Sequence, residues 1–431
     1  MNRLAREYAV FLACPRDMRV LLVTNMIYAF VLPVIEIFVA AYVMRNSHDV
    51  SKVVTYQLAI YAGDPLAFWI NGVMLGRIST KRLYSAGMIL SAVAMLVMMA
   101  SDVITPVAIA VSGLLMGIAS GLFWANRGFL ALSTTTDENR NYYYGIETFF
   151  LTITSVLVPA AIGWFIAATG RYGWVGGDRN NSYRIIAMCA LVLTVAASIV
   201  INTGSYRNPP RTRFVFFHFH SLWKKMLSLA ALKGLAQGYL VTAPAMLIMM
   251  LVGQEGTLGL VQAAGGIVSS FMLYAAGRAS RPEHRVAVFS VGLLLFAAGS
   301  IVNAVLFDAT GVLIFMACLV LAKPVLDLAY FPIQMLIIDT VSAIEGRNQY
   351  AYIFNHELGL FAGRLFGCGL FILMAAYVSR VAALKYALPT IAVLQVASIW
   401  VARDTLSSAA RVTRAPARSH EEIVEVVTRF E

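Results

Sequence analysis

The sequence predicts an all-α polytopic membrane protein whose twelve transmembrane helices form two pseudo-symmetric six-helix bundles. Three observations predict it. Of 431 residues, 60% are apolar and only 13% charged, against about 25% charged in a soluble domain. With about 20 apolar residues needed per crossing, that content is enough for about twelve helices. One longer polar linker, Gly204 to Lys225, carries Pro209, Pro210 and a run of basic residues and divides the apolar runs six and six. The composition excludes an ordinary cytosolic enzyme, a disordered chain and a nucleic-acid binder in which the net charge of +11 forms a surface stripe.

A lipid-facing backbone must satisfy its own hydrogen bonds, so each apolar run reads as a helix. Residues 1–19 form an N-terminal segment. Its apolar run, Tyr8 to Cys14, is stopped by Pro15 and reads as a short cytoplasmic helix, not a signal or acylation segment. Six spans at 20–44, 53–75, 83–100, 105–132, 142–168 and 185–203 make the first bundle, residues 20–203. Pro65, after Asp64, predicts a break in the second span, because proline removes a backbone donor. Gly113, Gly117 and Gly121 predict close packing of the fourth. Residues 204–225 are the central loop, where His218 and His220 are too few to hold a metal. The second bundle, 226–403, has spans at 226–251, 257–276, 286–307, 311–338, 350–378 and 386–402, followed by a tail, 404–431. Cys14, Cys189, Cys318 and Cys368 lack paired spacing, and the last three read as small buried side chains. No phosphate-binding glycine loop occurs, and neither a cofactor nor a metal is expected.

Orientation follows from the positive charges. With the N-terminus inside, 22 of the 33 Lys and Arg residues fall in inside segments, seven outside and four within spans. That bias predicts both termini in the cytoplasm, here of a bacterial inner membrane. The halves also repeat. Gly76-Arg77-x-Ser79 ends the second span and Gly277-Arg278-x-Ser280 the eighth. Glu138-x-Arg140-Asn141-x-Tyr143 leads into the fifth, and Glu345-x-Arg347-Asn348-x-Tyr350 into the eleventh. Transporters are commonly built from such repeats, with the substrate site between the halves near mid-membrane.

Twelve spans, a basic central loop and a glycine/basic element between the second and third spans resemble the major facilitator superfamily. Gly72, Arg77 and Lys81 match that family's loop pattern, while Gly76, Ser79 and Thr80 replace its Asp, Gly and Arg; Arg278 is the counterpart in the second half. The family's antiporter pattern in the fifth span survives as Pro159 and Gly163. The resemblance covers residues 18–403. It implies a secondary transporter that works as a monomer and moves a small-molecule substrate across the lipid bilayer, with a slight lean toward efflux.

A charge inside the membrane is costly, about 2.5–3.5 kcal/mol at a helix centre on insertion scales. Ten ionisable side chains lie in the predicted spans: Glu36, Asp64, Arg127, Glu147, Lys233, Lys323, Asp327, His356, Glu357 and Arg364. Arg127 and Glu147 are each six residues from the loop 133–141, about 9 Å inside the boundary. They predict a salt bridge, either static or opening as the halves rock. Equal depth likewise predicts Asp327 with Arg364, and Lys323 lies one turn from Asp327. Glu36 and Asp64 have no equally placed basic neighbour, which makes them the leading proton-coupling candidates, ahead of Asp327, Glu357 and His356. Binding a cationic substrate group, or lining the wall, are the alternatives. His356 reads as a relay or as an imidazole bonded to a neighbouring helix. Asn25, Trp124, Asn126, Lys233, Gln237, Gln334 and Asn355 are candidate cavity residues. With Tyr142, Tyr143 and Tyr144 at the inner mouth they point to an amphipathic or aromatic solute.

Overall fold

The computed structural model describes residues 9–428 apart from 76, 101–104, 136, 178, 207–214, 217, 254 and 280–283. Of the residues singled out above, Gly76, Pro209, Pro210 and Ser280 lie outside these. So do the side chains of Glu138, Arg140, Asn141, Tyr144, Arg278 and Tyr350.

After a short helical stretch at 9–13, the described chain is a succession of long helices. In the first half these are α1 (Arg16–Ser47), α2 (Val50–Met74), α3 (Thr80–Ala100), α4 (Pro106–Thr134), α5 (Asp137–Tyr172) and α6 (Arg179–Asn202). The second half holds α7 (Ser221–Leu251), α8 (Glu255–Ala279), α9 (Arg285–Leu306), α10 (Ala309–Glu345), α11 (Gln349–Tyr377) and α12 (Arg380–Gln395, continued by Ala397–Thr428). Side chains cap the helix starts: Asp49, Thr105, Asp308 and Ser379 accept from free backbone N–H groups of α2, α4, α10 and α12. His220 caps α7 in the same way through Nδ1, which accounts for one of the two loop histidines. Several helices outrun their apolar cores. α5 and α7 begin five residues before the predicted spans, because polar termini remain helical beyond the bilayer.

Among the described residues, ten helices are long and apolar enough to cross a membrane. In α8 the apolar stretch is shorter, Gly256–Met272, and α2 is more polar, carrying Gln57, Asp64 and Asn71. The break expected at Pro65 does not occur: α2 is continuous over 25 residues. One missing hydrogen bond is absorbed there by a helix packed tightly on α4. Irregularity falls instead in α1 and α7. α1 leaves α-helical geometry at Phe30, passes Pro33 and forms a π-helical turn over Val34–Phe38, a device that recurs at functional sites. α7 turns at Val241 and Thr242 and resumes at Ala243.

Cys368 is buried and donates to the Gly238 carbonyl at 2.8 Å. Cys189 is exposed on α6, contrary to its predicted burial; an apolar run marks a span but not which of its faces looks outward. Glycines set the tightest helix contacts. A Cβ on Gly117 of α4 would strike the Ile60 carbonyl of α2, and one on Gly363 of α11 the Ala231 carbonyl of α7.

The halves meet along three seams. α2 runs beside α11, where Phe68, Ala125 and Phe354 cluster. α5 runs beside α8, with Gly259 against the Pro159 carbonyl and Gly163. The third seam joins Val39–Ser47 of α1 to Ala243–Leu251 of α7, on the face opposite both termini. There Arg380 also bonds Asp49 across the halves at 3.0 Å. On the terminal face Lys81 donates to the carbonyls of Asn202 and Gly204, capping α6. Lys81 therefore ties α3 to α6 inside one half, while Gly72 lies in the last turns of α2 and Arg77 is exposed.

Gly117→Val and Gly363→Val are each expected to lower the melting temperature of the purified protein, by overpacking worth about 1–3 kcal/mol. Gly369→Ala, with open space around it, should leave it unchanged.

Candidate functional site

Arg364 of α11 organises the centre. Its Nη1 pairs with Asp64 Oδ2 of α2 at 3.3 Å and with Glu357 Oε2 at 3.6 Å. Nε and Nη2 both donate to Gln237 Oε1 of α7, at 3.1 and 3.0 Å. The guanidinium lies over the Tyr61 ring at 4.5 Å, and the Tyr61 hydroxyl donates to the Gln237 carbonyl at 2.7 Å. One cation thus binds two carboxylates, an amide and an aromatic face, from three helices and both halves.

A second pair continues inward. Lys233 of α7 bonds Asp327 of α10 at 3.1 Å, with its ammonium over the rings of Tyr330 and Phe331 at 3.9 and 4.2 Å. Tyr330 shares a 2.7 Å hydrogen bond with His356 Nε2, and His356 Nδ1 stands 4.0 Å from Glu357 Oε1. Buried His356 is therefore held by a tyrosine of the neighbouring helix, the second of its two expected readings.

The first half has its own network. Arg127 of α4 grips Glu147 of α5 through both carboxylate oxygens, at 2.9 and 2.5 Å. Asn25 of α1 donates to Glu147 Oε1 and the Tyr143 hydroxyl, at 2.6 and 2.9 Å, and accepts from Tyr84 of α3 at 2.6 Å. Trp124 covers the guanidinium at 5.2 Å. Four helices are joined around a carboxylate that is 2% exposed.

Several expectations change. Asp327 and Arg364 do not pair: equal depth brought them together on paper, but around the helix axes Asp327 faces α7 and Arg364 faces α2. Lys323 does not bond Asp327, which Lys233 takes. Asp64 has a basic partner after all, supplied by the other half. Of the cavity candidates, Asn25 belongs to the buried first-half network. Asn126 bonds Asn71 at 2.6 Å, Asn355 turns back to the Ala351 carbonyl at 2.7 Å, and Gln334 is buried. The Asn126 amide thus bonds between helices and the Asn355 amide within its own helix, while Gln334 Oε1 is buried without a hydrogen-bond partner among the described residues. Lys233 and Gln237 sit in the central network, and Trp124 is exposed. Tyr143 is buried, not at a mouth. Glu36, on the π-helical turn, and Lys323 are both exposed. Sequence reading missed Tyr61 and Tyr330, although each lies three residues from an acid within a span, Asp64 and Asp327, and so one turn along the same face.

Arg127→Leu should lower the melting temperature strongly, since it strands the buried Glu147 charge at a cost of about 3–5 kcal/mol. Arg127→Leu with Glu147→Leu should recover much of the loss, measured on purified protein in detergent.

The comparisons agree with this architecture. The sequence profile described as Major Facilitator Superfamily matches residues 20–363. The uncharacterised protein YqgE of Bacillus subtilis (strain 168) is 23% identical over 376 residues, covering 83% of this chain and 82% of that protein. An uncharacterised protein from the sodM 3′ region of Geobacillus stearothermophilus is 23% identical over 207 residues, 47% of this chain and 92% of its own. Among solved structures, a bacterial homolog of the human lysosomal transporter Spinster, in an inward-facing and unoccupied conformation, superposes with a TM-score of 0.62 at 15% identity. Tetrameric PepTSo2 superposes at 0.63 with 14% identity; each covers 92% of this chain and 98% of its own. At such identities the two structures speak for the fold alone. The profile match spans most of the chain, and the protein belongs to the Major Facilitator Superfamily of membrane transporters.

Proposed function

We propose that the protein is a proton-coupled secondary transporter that moves a small organic solute by alternating access, in a bacterial cytoplasmic membrane with both termini in the cytoplasm. The charge bias of the loops supports that orientation. In it, the contacts between α1 and α7 join the halves on the outer side. The bundle boundaries proposed are residues 20–203 and 226–403, joined by the central loop.

The observation that carries proton coupling is the sharing of Arg364 between Asp64 and Glu357. Two carboxylates facing one guanidinium at mid-membrane leave one negative charge uncompensated, and a low-dielectric site favours its neutralisation by a proton. The Asp64 contact joins the halves, and the Glu357 contact stays within the second half. Protonation of Asp64 releases the bond between halves while Arg364 keeps Glu357 and Gln237. Deprotonation draws α2 and α11 together again. A proton taken up on one side thus changes how the halves are held. Glu147, whose oxygens are already occupied by Arg127, Asn25 and Tyr143, serves instead as a fixed pivot of the first half. The direction we favour is efflux. The two residues behind that lean, Pro159 and Gly163, sit at the α5–α8 seam against Gly259.

Proteoliposome flux tests the reading, with solutes chosen by their stabilisation of the purified protein. Wild type should accumulate solute when a pH gradient is imposed. Asp64→Asn should lose gradient-driven accumulation yet keep exchange of labelled for unlabelled solute. Retention of full gradient-driven transport by both Asp64→Asn and Glu357→Gln sinks proton coupling and leaves an uncoupled facilitator.

A further inference from the structure

α7 is interrupted, and side chains answer the interruption. In a continuous helix the N–H groups of Val241 and Thr242 would bond the carbonyls of Gln237 and Gly238. Both go instead to the Tyr239 carbonyl, where α7 turns before it resumes at Ala243. The two carbonyls so released lie within a span, where an unmet backbone acceptor is costly. Each has found a donor. Cys368 Sγ of α11 meets the Gly238 carbonyl at 2.8 Å, inside the second half. The Tyr61 hydroxyl of α2 meets the Gln237 carbonyl at 2.7 Å, and it comes from the first half. Tyr61 is buried with its ring against Arg364, which fixes where the hydroxyl points. α2 therefore reaches the second half by two bonds one helical turn apart, Asp64 to Arg364 and Tyr61 to Gln237. They differ in what they hold. Asp64 holds a side chain of α11. Tyr61 holds the backbone of α7 where that helix turns, just before the arm Ala243–Leu251 that packs on Val39–Ser47 of α1.

We infer that Tyr61 is a positioning residue for the seam between α1 and α7: its hydroxyl pins the turn of α7 to the first half, and the pinned turn keeps the arm Ala243–Leu251 against α1. Without the hydroxyl, the Gln237 carbonyl loses its donor from α2. α7 then recovers a partner for it by re-forming helix through Val241, which swings the arm away from α1. A phenol donates to a carbonyl whether Asp64 is charged or neutral, so the pin survives opening of the Asp64–Arg364 bond. The two bonds from α2 thus have separate tasks. The inference rests on the break in α7 and stands apart from proton coupling.

Hydrogen exchange of backbone amides, followed by mass spectrometry on the full-length protein in detergent, tests this without any solute. High salt is used to screen the exposed Asp49–Arg380 pair, which also joins the halves on this face. Tyr61→Phe keeps the ring against Arg364 and removes only the hydroxyl. It is expected to quicken exchange about tenfold in residues 39–47 and 243–251, the factor for a buried carbonyl deprived of its donor. The α5–α8 seam, at 155–163 and 256–266, should be unchanged, which sets the effect apart from general loosening. Cys368→Ala releases the other carbonyl within one half. It should quicken exchange beside the break, at 238–242, and leave 39–47 protected. Asp64→Asn, which cuts the other bond from α2, should also leave 39–47 protected. The inference is overturned if Tyr61→Phe exchanges like wild type at 39–47, or if it quickens both seams alike. It is equally overturned if Cys368→Ala or Asp64→Asn opens 39–47 as far as Tyr61→Phe does. Gradient-driven flux of Asp64→Asn bears on proton coupling alone, so the two readings fail separately.

Discussion

A guanidinium at mid-membrane must be neutralised and fully hydrogen-bonded, and much of the central architecture follows from meeting that demand at Arg364. Its partners come from α2, α7 and α11, so those backbones must approach closely. Glycines permit it. A Cβ on Gly234 would meet the Leu360 carbonyl, and one on Gly238 the Arg364 carbonyl itself, at 2.6 Å. With α7 pressed onto α11, Gln237 reaches two guanidinium nitrogens and presents its own carbonyl to Tyr61. Small residues in the sequence thus become helix proximity, and proximity becomes charge satisfaction. The satisfied charge is also the bond between halves.

The two halves spend their charges differently. In the first, α4 supplies a base and α5 an acid, and the pair closes on itself beneath tyrosines and an asparagine. In the second, α10 and α11 each supply an acid, Asp327 and Glu357, and the cations come from elsewhere: Lys233 from α7, and Arg364 further along α11. In the first the acid is the buried partner, with Glu147 2% exposed; in the second it is the more open one, with Asp327 34% exposed.

What was legible in the sequence follows from what one dimension can encode. Apolar runs mark spans, because lipid demands a helix wherever they occur, and depth along a span follows from residue count. Arg127 and Glu147 meet because two helices joined by a short loop are neighbours, so depth alone brings them together. Asp64 and Arg364 are separated by 300 residues and eight intervening helices, and nothing local announces their contact. Rotation about the helix axis was equally hidden: it sends Asp327 to Lys233 instead of Arg364, and turns Asn126 toward Asn71 of α2. Proline misled in α2, where tight packing holds the helix straight. The irregular turn in α1 lies just beyond Pro33, which drew no attention.

The Asp49–Arg380 pair is built unlike those within the bundle. Arg380 is 59% exposed, where Arg364 is 11% exposed. Mobile ions screen an interaction between exposed charges, with a Debye length of about 8 Å at physiological ionic strength, and scarcely touch a buried one. The latch on the face away from the termini is thus weakened by the electrolyte bathing that face, while the buried central bond is sheltered from it. The same two halves are held by one contact that feels the surrounding salt and by another that does not.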